Sequence, residues 1–234
     1  MKLFKNRPSR LLFSFFLGLS LGFLFGSAYG HKNVQKAELF CDPVDTLHIQ
    51  EPPEVIRGKK ALIIGDSHSA YAHGWQTFLV KWTGIKISNI SIEGKDTDWM
   101  RRRLPEVIDT SYDFCFIYGG GNDAAGGKNP RHIFQNIQQM VDLCNKKGVR
   151  AIVITGSSAE KLLPSTPRWS TYIRTKRDFQ KILTEELQSA TLVDVRYLIE
   201  KQDCADVLCH MQVSGHKKIA NEIINCCNFY RVVD

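Results

Sequence analysis

From Lys59 onward, short unbroken apolar runs alternate with longer stretches whose apolar residues recur at helical spacing. The runs are "KALIIG" (60–65), "IKISNISI" (85–92), "YDFCFIYG" (112–119), "VRAIVITG" (149–156) and "ATLVDV" (190–195). Runs of this length, bounded by turn residues, read as strands buried on both faces. The intervening stretches predict helices near 69–82 and 97–108, in "PRHIFQNIQQMVDLCNKKG" with Gly148 ending it, near 168–188, and from about Ser214 to Cys226. Strands alternating with helices predict an α/β domain over 59–234, a five-stranded parallel sheet with helices on both faces.

Upstream the pattern changes. Leu11 to Gly30 is an uncharged stretch of twenty residues behind a basic segment, long enough as a helix to span about 30 Å of hydrocarbon. Residues 1–30 are read as a signal peptide or signal anchor, with an uncleaved anchor favoured because the apolar run is long for a cleaved leader. The cations before the stretch place the N-terminus in the cytoplasm and the domain in the periplasm or outside the cell. The alternative is a secreted domain released by cleavage. Residues 31–58, which contain the Pro52-Pro53 pair and lack periodicity, read as a stalk.

That leader also explains the charge. The net charge is +7, but residues 1–30 hold Lys2, Lys5, Arg7 and Arg10 and no acids. The basic balance therefore gives little support to a nucleic-acid partner, and none is expected. Seven cysteines suit an exported chain better than a cytosolic one. Cys115, in a strand, and Cys144, on a helix, read as buried thiols, and a local bridge between Cys204 and Cys209 is open. Zinc ligation by Cys204, Cys209, His210 and His216 fits no usual ligand spacing.

In parallel sheets ligands bind beyond the carboxyl ends of the strands. The loops there read "GDSHS", "EGKDT" and "GGGNDAAGG", and the segment before the last helix reads "DVLCHMQVSGH". Singly, each is ordinary turn or capping chemistry. Together they bring a serine, a glycine, an asparagine and a histidine to one sheet edge, as acyl transfer requires. Ser67 is the candidate nucleophile and His210 its base. The backbone N–H groups of Ser67 and Gly94 and the Asn122 side-chain amide are candidate oxyanion donors. His68 reads as an exposed residue at a helix start, His216 as a helix-entry residue, and Arg101-Arg102-Arg103 as a solvated face.

These blocks resemble the SGNH (GDSL-type) hydrolase family. "IGDSHS" looks like its first block, Gly94 its second, "GGND" (120–123) its third and "CHMQVSGHKKIANEI" its last. The resemblance covers about residues 58–228. It implies a flavodoxin-like three-layer α/β/α fold and ester hydrolysis by a Ser-His-Asp triad with no metal or other cofactor. The substrate it implies is an acylated carbohydrate or a lipid ester. One position departs: the family's acid lies three residues before the histidine, where this chain has Val207. Asp206, four before, is taken as the orienting acid, with Asp203 the alternative.

Three rivals remain. Gly119, Gly121 and Ala124 fit the G-x-G-x-x-A pattern of a nucleotide site, but "AAGGKNP" intervenes before any expected helix, and Lys128-Asn129 fails a Walker A motif. The others are an inactive membrane-tethered binding module on the same fold and an acyltransferase.

Overall fold

The computed structural model describes residues 52–206 and 210–232. The leader, its membrane stretch at 11–30 and most of the stalk lie outside them. Among the described residues no helix is long and apolar enough to cross a membrane.

Five parallel strands form one sheet: β1 (Lys60–Gly65), β2 (Lys86–Asn89), β3 (Phe114–Tyr118), β4 (Arg150–Ile154) and β5 (Thr191–Val193), in the order β2-β1-β3-β4-β5. This is the flavodoxin-like strand order, whose direction reverses between β1 and β3. The predicted strands are therefore all present. β1 coincides with its apolar run, and β2 to β5 are shorter than theirs, because the run ends become loop.

Alternation along each strand divides the apolar residues between two cores. Ala61 and Ile63 of β1 and Phe114 and Phe116 of β3 face one core with Trp75, Leu79, Ile219 and Ile223. Those residues come from α2 (Trp75–Thr83) and α8 (Val213–Cys226). Leu62, Ile64, Cys115 and Ile117 face the other with Met100, Ile137, Val141, Phe179 and Leu183. These belong to α3 (Thr97–Arg103), α5 (Pro130–Lys146) and, after the short α6 (Ala159–Leu162), α7 (Pro167–Glu186). Cys115 and Cys144 are buried free thiols there, as expected.

Three features depart from the sequence reading. The helix expected over 69–82 is broken into α1 (Ser67–Ala70) and α2, with a turn between them. A short helix, α4 (Gly121–Ala125), starts directly after β3, where none was expected. Its five residues raise the nucleotide reading little, because Asp123 in the first turn opposes a phosphate there. The stalk also ends earlier than 58. Glu54 bridges to Phe229 and Ile56 is wholly buried, so this segment packs as part of the domain.

Candidate active site

Gly65 ends β1 where a side chain has no room: a Cβ there would lie 2.7 Å from the Tyr118 carbonyl oxygen of β3. The chain then turns at Asp66, whose carboxylate caps α1 by accepting the His68 N–H at 3.0 Å. Ser67 is thereby set at the first position of a four-residue helix, just beyond the carboxyl end of β1, an interior strand of the sheet.

The Ser67 hydroxyl lies 3.1 Å from His210 Nε2, across 143 residues of sequence. Asp206 Oδ2 lies 2.5 Å from His210 Nδ1, and Asp206 Oδ1 accepts the His210 backbone N–H at 3.0 Å. A carboxylate on Nδ1 leaves Nε2 free to accept the serine proton. Asp203, the alternative acid, is turned inward. It is 2% exposed, accepts the Glu200 N–H at 2.9 Å and pairs with Lys218 Nζ at 2.6 Å. Val207, at the family's usual acid position, lies outside the described residues.

Two candidate oxyanion donors follow β2 and β3, the strands on either side of β1. Gly94 follows β2 with φ +71° and open space where a Cβ would stand. Its left-handed backbone, and not crowding, is what favours glycine there. Asn122 lies in α4 after β3 and donates one amide hydrogen to the Lys95 carbonyl at 2.9 Å. That bond ties the two donor segments together and leaves the second amide hydrogen for another acceptor.

His68 is not the exposed residue expected. Its ring stacks on Tyr118 with centroids 5.4 Å apart and tilts against His210 at 5.6 Å. Burial, helped by the nearby Lys176 and His210 charges, lowers its pKa to about 3, so it stays neutral. Burial likewise raises the Asp66 carboxyl to about 6, against the opposing pull of the His68 N–H. His216, in the first turn of α8, is 2% exposed and stacks on the half-exposed Tyr71 at 5.7 Å; burial lowers it to about 4. Cys204 is disulfide-bonded to a partner outside the described residues, which removes it from any zinc set with His216. Of the arginine run, Arg102 is exposed and Arg103 pairs with Glu106.

The sequence reading missed a partly buried polar network on the segments that carry the candidate donors. Oxygens of Asp96, Asp98 and Asp123 lie within 4.8 Å of one another, a spacing a cation would suit. The Lys128 ammonium already lies among them, at 2.8, 2.7 and 3.3 Å respectively. Hydrogen bonds from Lys128, with help from His132 and Asn136, hold the Asp98 carboxyl well below its ordinary range. Burial opposes the charge on Lys128, but bonds to Asp96 and Asp98 and the Asp123 charge outweigh it and raise its pKa. The available clues were the Asp96 cap before Thr97 and the acid directly after Asn122.

A profile of the GDSL-like lipase/acylhydrolase family matches residues 63–218, from β1 into α8. The chain is therefore an ester-hydrolysing hydrolase. It belongs to the GDSL-like lipase/acylhydrolase family. Among solved structures, it is similar to Axe2, an acetylxylan esterase from Geobacillus stearothermophilus, at 18% identity with TM-score 0.61, covering 75% of this chain and 96% of that one. A lipolytic G-D-S-L protein from Veillonella parvula DSM 2008 matches at 14% identity and TM-score 0.60, covering 72% and 97%. A protein described as TesA matches at 22% identity and TM-score 0.55, covering 72% and 97%. At these identities the structural likeness concerns the fold. Comparison with curated protein sequences found no match.

Proposed function

We propose that the chain is a serine esterase that removes acetyl or other short acyl groups from an envelope or extracellular glycan. The observation that carries this reading is the continuous hydrogen-bonded series Asp206–His210–Ser67 at the carboxyl edge of the sheet. Ser67 Oγ attacks the ester carbonyl while His210 Nε2 takes its proton. The oxyanion is held by the Ser67 and Gly94 N–H groups and the free hydrogen of Asn122 Nδ2. His210 returns the proton to the leaving alcohol as the C–O bond breaks. A water then repeats the sequence on the acyl-enzyme, releasing the acid and restoring Ser67.

A short acyl group on a sugar is supported by the likeness to an acetylxylan esterase and by the half-exposed Tyr71, an aromatic face four residues after the nucleophile. Export and membrane attachment through residues 11–30 are supported by the basic, then uncharged, leader and by the Cys204 disulfide, a bond characteristic of oxidising compartments.

The full chain assayed on p-nitrophenyl acetate, butyrate and octanoate and on acetylated xylo-oligosaccharides should hydrolyse the acetyl esters fastest, with Ser67→Ala inert. Fluorophosphonate should label Ser67. Failure to label would favour a binding module. Labelling together with acyl release only when a sugar acceptor is added would favour an acyltransferase.

A further inference from the structure

We propose that Thr97, Asp123 and Lys128 are positioning residues that hold the two oxyanion donors, Gly94 and Asn122, in register with each other. The inference rests on the esterase reading above.

Sheet order creates the need for such a device. Gly94 follows β2 and Asn122 follows β3, but β1 lies between those strands, so no ladder hydrogen bond joins them. The segment after β2 stays tied to β1 as far as Ile92, whose N–H reaches the Gly65 carbonyl at 3.2 Å. It then leaves the sheet, and the exposed Gly94 is carried beyond its last ladder bond.

Side chains supply the missing tie. The wholly buried Asp123, next to Asn122, accepts both the Thr97 N–H and the Thr97 hydroxyl at 2.8 Å. Thr97 itself is wholly buried and lies three residues after Gly94. Asn136 Nδ2 donates to the Thr97 hydroxyl oxygen at 3.0 Å, so that hydroxyl both donates and accepts. Lys128 then bonds Asp96 and Asp98 on the Gly94 side and Asp123 on the Asn122 side.

The ammonium has a second effect. Three carboxylates with oxygens this close repel one another, and they also oppose an oxyanion developing nearby. Lys128 offsets that charge from among the three carboxylates. A donor misplaced by a fraction of an ångström still permits substrate to bind, but holds the transition state less well.

The test compares the full-length wild-type chain with Thr97→Val, Thr97→Ser and Lys128→Met. It measures p-nitrophenyl acetate kinetics and peptide-level amide hydrogen exchange. In Thr97→Val and Lys128→Met we expect faster exchange in peptides covering 91–99 and 119–127. We expect kcat to fall about tenfold or more, with KM within about twofold. Thr97→Ser, which keeps the hydroxyl, should restore wild-type exchange and kcat. Unchanged exchange in both disruptive variants would overturn the tie. Faster exchange with kcat unchanged would overturn its role in holding the donors and leave a structural tie only. A wild-type chain inert to esters and to fluorophosphonate would remove the esterase reading and this role with it, a result distinct from the other two because it appears before any substitution.

Discussion

The Asp206 carboxylate grips His210 twice, through the imidazole Nδ1 at 2.5 Å and the backbone N–H at 3.0 Å. Asp206, the proposed acid, sits one residue earlier than the family's usual position, and the second bond adds a main-chain hold on His210. Asp206 Oδ1 accepts the backbone N–H of the residue four ahead while Oδ2 meets the ring, so one carboxylate holds both the main chain and the imidazole of His210. Both side chains are close to half exposed, at 44% and 46%. The pair is therefore worth little as a salt bridge and matters through orientation.

Asp206→Asn should therefore lower kcat by about 10²- to 10⁴-fold by presenting the wrong imidazole tautomer, with little loss of stability. Asp203→Asn should do the reverse, because it leaves Lys218 without its buried partner while the Ser67–His210–Asp206 series stays intact. Steady-state kinetics and urea melts of both variants check this. Full activity in Asp206→Asn would remove Asp206 from the triad.

Asn122→Ala should cost about 2.7–4 kcal/mol of transition-state stabilisation, read as about a 10²- to 10³-fold fall in kcat. The substitution also removes the bond to the Lys95 carbonyl. Inhibition by a boronic acid, whose tetrahedral adduct carries the oxyanion charge, should weaken in parallel with kcat. Tight boronate binding in the variant would argue against Asn122 as a donor.

Gly65→Ala should impair folding as well as activity. The new Cβ would meet the Tyr118 carbonyl at 2.7 Å and Ser69 Oγ at 2.9 Å, and a backbone carbonyl held in the sheet cannot turn aside. We expect β1 to part locally from β3, with a loss of about 1–3 kcal/mol in urea unfolding. A variant as stable as the wild type would show that the strand end has slack.

Acid should destabilise the fold. His68 and His216 are lowered from 6.5 to about 3 and about 4, so below pH 6.5 the unfolded chain binds their protons first and stability falls. Asp66 works the other way, since its folded pKa of about 6 exceeds its ordinary 3.8 and favours the folded state as pH drops through that window. Two groups against one leave a net loss of about 1.4 kcal/mol per unit between pH 6 and 4 from these three. His216→Gln should remove about one proton from that slope in urea titrations at pH 6.5, 5.5 and 4.5. An unchanged slope would mean that His216 already titrates normally in the fold.

The sequence by itself determined the five strands, their alternation with helices and the four segments that meet at the carboxyl edge. Those features depend on short-range rules: apolar runs, helical spacing, a capping Asp66 and a glycine after a strand. Tertiary structure decided which acid reaches His210, since Asp203 and Asp206 lie in one short segment and differ in whether the loop turns each outward or towards Lys218. It also decided that His68 is packed against Tyr118 and His210, and that Lys128 joins carboxylates up to 32 residues away in the chain. Periodicity reports which face of an element is buried. It does not report which side chains from separate elements converge, and the Ser67–His210 contact, 143 residues apart, exists only once the sheet order has brought those segments together.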